Sequence, residues 1–275
     1  MTNDSPHRFA VGSILVFCGL LLVSGCANMP DPADGDAVAE YIQTNDPLEP
    51  TNRQVFAVNQ GLDSALLKPI TEVYRDTVPA TARQGIQNFL ANLRTPVVLL
   101  NDILQGDLDR TIETLARFLV NSTVGIFGLA DAAAELGVPA HAEDFGQTLA
   151  VWGVPSGPFL MLPVFGPSNP RDTVGLVVDL LTDPFNRWAS NSGQPQAAYS
   201  RAGAETVDRR AQNIELLNEV EKSSLDFYAA IRSLYRQRRA HGISNGLDVP
   251  EIQAGKDVEF TDRPKFIDEE VSRRE

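Results

Sequence analysis

The sequence predicts a mostly α, single-domain chain, and three observations carry that prediction. Apolar residues recur at steps of three and four through most of residues 45–242. Proline marks the head of one such stretch after another, in Asp46-Pro47, Val78-Pro79 and Asn169-Pro170. Only one short stretch reads as a hairpin, and neither an internal repeat nor a second domain boundary interrupts the pattern. The remaining length, about 250 residues, suffices for one large core.

The first element is a leader. From Phe9 to Val23 nearly every residue is apolar or small, Arg8 precedes the run, and Gly25-Cys26 closes it. About fifteen residues at 1.5 Å each reach about 22 Å, short of the roughly 30 Å hydrocarbon core. A secretory signal over residues 1–25 fits better than a membrane span. Asp4 offsets Arg8, a weak positive region that leaves the initiating methionine open. Val23-Ser24-Gly25-Cys26 resembles the bacterial lipobox, which implies a lipid-modified Cys26; an ordinary signal peptide with an incidental cysteine is the alternative. Residues 26–44 are polar, acidic and rich in Pro and Gly, and read as a flexible tether.

Helical territory opens at Asp46, with Pro47 at its first position, Glu49 in its first turn and Val55, Val58 and Leu62 at helical spacing. Lys68-Pro69 is expected to break it. A second helix opens at Val78-Pro79, carries Ile86, Phe89, Leu90 and Leu93, and is expected to stop at Thr95-Pro96. Val97 to Leu104 is short and apolar, and Gln105-Gly106-Asp107 turns the chain. Asp107 caps a helix running to about Val120, followed by a glycine-bearing elbow over 121–128. Leu129 to Leu136 reads as a short apolar helix and 137–143 as a loop. The hairpin is expected between Leu149–Val154 and Phe159–Pro163, around Pro155-Ser156-Gly157-Pro158. Thr173 to Leu181 is apolar and helical, and a loop spans 182–194. From Pro195, Ile214, Leu217, Val220, Tyr228, Ile231 and Tyr235 keep helical spacing. Residues 243–275 lose all periodicity and read as an acidic disordered tail.

Composition excludes several functions. Removing residues 1–25 removes one acid, Asp4, and one base, Arg8, so the net charge of -13 persists. Such a chain repels nucleic-acid phosphates and lacks a polybasic membrane patch. Cys18 and His7 lie in the leader, so the mature chain has one cysteine, no disulfide and, with two histidines, no metal-ligand cluster. Asp144-Phe145-Gly146 lacks the other kinase motifs, and Ser156 is not in a G-x-S-x-G elbow. His141 reads as a solvated loop histidine. No catalytic constellation, cofactor or metal site is expected.

Asn45-Asp-Pro-Leu-Glu-Pro-Thr-Asn-Arg53, with Phe56, Asn59 and Leu62-Asp63, resembles the opening of the VacJ/MlaA family of outer-membrane lipoproteins. The likeness continues through Lys68-Pro69, Tyr74-Arg75, Asn88-Phe89, Leu104-Gln-Gly106, Arg117-Phe118 and Asn121-Ser-Thr123. Its densest block is Glu143-Asp-Phe-Gly-Gln-Thr-Leu149, then Trp152-Gly-Val154, Leu162-Pro163, Gly166-Pro-Ser168 and Arg171-Asp172. It covers about residues 45–180 in the family's order. The resemblance implies a ring-like, membrane-embedded helical body with a central channel. It implies retrieval of misplaced phospholipids from the outer leaflet and delivery to the soluble periplasmic carrier MlaC, with trimeric porins as partners.

From it follow expectations for particular residues. The stretch Leu129–Leu149 resembles a channel gate, with Leu129, Leu136, Gly137, Val138 and Phe145 in the flap and Asn59 and Leu62 bracing it. Trp152, Phe159, Leu162 and Phe165 are expected on a lipid-facing surface. Two alternatives stay open: the apolar stripes pack in an ordinary core, or the chain is a scaffold bridging the outer membrane to a protein partner. A lipid-modifying hydrolase using His141 or Ser156 is a third.

Overall fold

The computed structural model describes residues 44–245; the expected leader, Cys26, nearly all of the tether and the tail beyond Asn245 lie outside the described residues. The described chain is helical apart from one two-stranded hairpin.

Helix α1 (Glu49–Leu62) begins later than expected, with Pro50 in its first turn. Asp46 is not its cap. It is 7% exposed and accepts hydrogen bonds from Asn52 Nδ2 (2.8 Å), Arg232 Nη1 (2.8 Å) and the Tyr228 hydroxyl. The expected break at Lys68-Pro69 is a widened π turn instead, Asp63–Leu67, where Lys68 N–H reaches back to the Asp63 carbonyl. Proline has no N–H for the α ladder, and the wider turn lets the chain continue into α2 (Lys68–Thr77) without unwinding.

Helix α3 (Ala80–Gln105) runs straight through Pro96, correcting the expected stop. An internal proline costs about 3 kcal/mol. Burial of Leu90, Val97 and Val98 on either side offsets it. Gly106, in the left-handed region at φ 75°, ends α3, and Asp107 caps α4 (Leu108–Thr123) by accepting from Arg110 N–H. The elbow that follows holds Ile126, Phe127 and Gly128 at positive φ. Gly128 is obligatory there, because a Cβ would collide with the Asn92 side chain. The expected Leu129–Leu136 helix contracts to α5 (Ala132–Glu135), capped by Asp131.

The hairpin is displaced from its expected position. Leu149–Val151 belongs to α6 (Phe145–Val151), and the strands are β1 (Leu160–Leu162) and β2 (Gly166–Ser168), antiparallel with Met161 opposite Pro167. Pro155 and Pro158, which cannot donate ladder bonds, occupy the connection rather than a hairpin tip. Then come α7 (Pro170–Thr182), α8 (Pro184–Asn191), which replaces an expected loop, and α9 (Pro195–Gln212). The periodic C-terminal stretch is divided at Asn213 and at 224–226 into α9, α10 (Ile214–Ser223) and α11 (Phe227–Ile243).

These elements close a circuit. α1 and the π turn lead into α2, α2 packs on α9, and α9 passes through α10 to α11. α11 lies against β2, and β1 returns to α1. The other helices pack outside this ring, α3 and α8 against α9 and α6 against α11.

Burial is inverted relative to an ordinary bundle. Among the described residues, sixteen polar or charged side chains are buried against ten hydrophobic ones. The apolar stripes meanwhile point outward: Ile112 is 66% exposed, Leu119 55%, Ile103 56% and Val73 62%. Stripes packed in an ordinary core would show the reverse.

Candidate functional site: a cavity inside the ring

An open cavity of about 990 Å³ lies within the ring. One wall is α1 with the π turn and Lys68; the others are Pro167 of β2 and the inward faces of α9, α10 and α11. Helical spacing puts Phe227, Ile231, Leu234 and Arg238 of α11 on that inward face. Leu67, Leu216 and Leu217 add apolar surface, while Asn59, Gln60 and Asn213 add polar groups. The lining is mixed, so both a polar headgroup and an acyl chain find compatible neighbours.

Charge in the wall is uneven. Lys68, Arg209, Arg210, Arg238 and Arg239 face Asp63 and Glu221. Arg210 grips Asp63 through two bonds of 2.8 and 2.9 Å, joining α9 to the π turn across the cavity rim. Arg239 turns away from the cavity onto Asp144 (2.6 and 2.8 Å) and Asp172. Burial alone would raise the Asp144 carboxyl, but the Arg239 guanidinium outweighs it and holds that carboxyl below its ordinary range.

A second polar cluster lies outside the ring, between α3, α4 and the 137–143 loop. Thr114 Oγ1 donates to Asp102 Oδ2 at 2.6 Å, and His141 Nε2 lies 3.1 Å from both Asp102 Oδ1 and Thr114 Oγ1. Glu143 accepts from Gln105 (2.9 Å) and Arg110 (2.8 Å), and burial pushes its carboxyl upward against those partners. His141 is therefore not solvated, correcting the sequence expectation; its side chain is 11% exposed. Thr114 and Asp102 are 3% and 1% exposed, so the trio is closed to substrate and pins the loop.

The structure separates the expected gate residues. Asn59 lines the cavity; Leu62 is exposed at the end of α1. Leu129, Leu136, Gly137, Val138 and Phe145 do not line it. Instead the Leu129 carbonyl accepts from Asn88, the Val138 carbonyl from Arg117 (2.6 Å), and Phe145 stacks edge-on against Trp152. The expected surface set divides too. Trp152 and Phe165 are exposed, at 52% and 65%, and Leu162 is half-buried. Phe159 is 4% exposed, enclosed with Met161 and Tyr228, so its placement on a lipid-facing surface is corrected. The cause is the displaced hairpin, whose first strand faces α1 and α11.

Two functional features escape sequence reasoning. Asn52 accepts from Met161 N–H (2.9 Å) and donates to the Phe159 carbonyl (3.1 Å). Asn59 does the same at Val164 N–H (2.8 Å) and the Leu162 carbonyl (2.9 Å). The signal was present: two asparagines seven residues apart occupy one helical face. The arginines of α9 and α11 carry no sequence signal that sets them apart, and only the fold brings Arg210 and Arg238 to the cavity wall.

Comparison with known proteins places this geometry. The family described as MlaA lipoprotein matches residues 44–242. An intermembrane phospholipid transport system lipoprotein, MlaA, of Shigella flexneri is 31% identical over 258 residues, covering 92% of this chain and 96% of the relative. Its namesake in Haemophilus influenzae is 30% identical, covering 82% of this chain and 88% of the relative. An uncharacterized protein of Rickettsia felis is 34% identical over 201 residues, 72% of this chain and 78% of its own. A solved structure described as the structural basis for maintenance of bacterial outer membrane lipid asymmetry aligns with a TM-score of 0.64. It shares 33% sequence identity over 72% of this chain and 98% of its own. Family match, near-full-length relatives and shared fold agree: this chain belongs to the MlaA lipoprotein family.

Proposed function

We propose that this chain is an outer-membrane lipoprotein, anchored through Cys26, that withdraws misplaced phospholipid from the outer leaflet and passes it to a soluble periplasmic carrier of the MlaC kind. The cavity supports this reading: it is lined by the elements of the ring, opens to the outside, and mixes apolar, polar and cationic side chains. Moving a headgroup unaided through hydrocarbon strands polar groups without partners, at several kcal/mol each. A polar-lined path lowers that barrier while acyl chains rest on Phe227, Ile231 and Leu234. The outward-facing stripes of α2, α3 and α4 would sit in the inner leaflet, with Trp152 at headgroup depth. No helix among the described residues is long and apolar enough to cross a membrane, which suits a body seated in one leaflet. A trimeric porin would abut the same apolar exterior.

The test is deletion of the gene followed by measurement of phospholipid accessible at the cell surface. Surface phospholipid should rise, and should fall again with the wild-type gene but not with Cys26→Ser. No rise on deletion would leave a scaffold lipoprotein as the better reading.

A further inference from the structure

We propose that the cavity is selective for phospholipids whose headgroup carries net negative charge, and that Lys68 and Arg238 are the residues that read it. The inference rests on the transport reading above and deepens it by naming the substrate class.

The protein as a whole has a net charge of -13, yet its cavity wall carries five cations against two acids. Three of the wall's seven charges, Arg210, Asp63 and Arg239, are firmly paired. Asp63 neutralises Arg210, and Asp144 and Asp172 neutralise Arg239 from behind the wall. Arg209 has only a loose contact with Glu205, at 4.0 Å. The side chains of Lys68 and Arg238 have no carboxylate or hydrogen-bond partner among the described residues. Glu221 is the one acid of the wall without an ion pair among the described residues.

Two further details strengthen the argument. Arg210 is 9% exposed on its side chain, and its Nη1 is buried with no acceptor among the described residues. The wall thus holds cationic hydrogen-bonding capacity beyond what Asp63 satisfies. Lys68 follows the π turn directly, and that turn sets the angle at which its side chain enters the cavity.

The chemistry selects among headgroups. Phosphatidylcholine, phosphatidylethanolamine and phosphatidylglycerol each bring one phosphodiester, which the wall's cations accept. A zwitterionic headgroup also brings an ammonium or trimethylammonium cation, for which Glu221 is the one unpaired carboxylate. Phosphatidylglycerol brings the phosphate with hydroxyls and no cation, and Gln60 and Asn213 are available to those hydroxyls. A second unpaired cation in the wall therefore favours the anionic lipid. Hydrogen bonds between charged partners are strong enough that losing one costs about tenfold in affinity.

The experiment uses the full-length lipidated protein in detergent micelles doped with defined lipids, with bound lipid counted by native mass spectrometry. Wild type should retain phosphatidylglycerol about tenfold better than phosphatidylcholine, and the preference should weaken in high salt. The double variant Lys68→Gln/Arg238→Gln should lose more phosphatidylglycerol than phosphatidylcholine, so that the two occupancies converge. Arg187→Gln, exposed on α8 away from the cavity, should keep it. Equal occupancy of both lipids in wild type overturns the selectivity while leaving transport intact. No phospholipid bound at all overturns the transport reading itself. A double variant that keeps the preference removes Lys68 and Arg238 from the role. Inorganic phosphate that binds without displacing phosphatidylglycerol would show separate sites and overturn the headgroup assignment.

Discussion

Asn52 and Asn59 stand two turns apart on α1, and each uses both ends of its carboxamide on the backbone of the hairpin segment. Asn52→Ala leaves the Met161 N–H and the Phe159 carbonyl buried and unpartnered. It should destabilise the protein by about 2–3 kcal/mol in urea unfolding. Asn59→Ala, at a more exposed site, should cost about half as much. Arg239 gives a sharper signature through pH. In the wild type Asp144 is held below its ordinary range, so its contribution is present above about pH 4 and lost as pH falls through the depressed value. In Arg239→Met only the Gln147 N–H and the Arg94 charge still oppose burial at Asp144, so its folded pKa moves upward. The stability it contributes above about pH 4 then shrinks. Unfolding free energies across pH 3–7 should therefore rise with pH in the wild type and rise less, or fall, in the variant. Identical slopes would remove Arg239 as the cause.

At the scale of elements, the hairpin segment presents two faces, and substitutions should divide accordingly. Phe159→Asp buries a carboxylate among Met161, Tyr228 and Tyr235 and should abolish folding, read as loss of helical circular dichroism. Phe165→Asp changes a side chain that is 65% exposed, so it should leave the fold intact. In a form lacking Cys26, that second change should reduce membrane retention. The π turn is equally specific: deleting Ala65 restores α register, turns α2 by about 100° and separates Tyr74 from Asp208. Such a protein should unfold at a lower temperature. Sequence made the helical class, the caps at Asp107 and Asn169 and the glycine elbow legible, because each rests on local chemistry. It misplaced the breaks at Pro69 and Pro96, because a proline's local cost was outweighed there by burial or absorbed by a wider turn. It placed the hairpin too early, since the apolar run after Gln147 fits a strand as well as the last turn of α6. Of the site, only Asn59 was named, since the cavity is made by α9, α10 and α11 meeting α1 across more than a hundred residues.

Taken together, the described residues bury more polar side chains than hydrophobic ones and leave many large hydrophobic side chains exposed. Removal of the lipid anchor should therefore not release it into water. A Cys26→Ser form expressed with a cleavable leader should stay with the membrane fraction through a high-salt wash and leave only with detergent. Wild type should incorporate labelled palmitate and the Cys26→Ser form should not; an unlabelled wild type would end the lipobox reading. The ring is closed by short elements, and one of its two shortest, β1, is covered on one side by β2 and on the other by the two α1 asparagines. Those carboxamides occupy donors and acceptors along the outer rim of β1 that would otherwise template another strand. A second copy therefore finds no ladder to extend there, even when two bodies lie side by side. The asparagine pair protects the protein from edge-to-edge polymerisation, a hazard that no charge or proline in β1 would otherwise prevent.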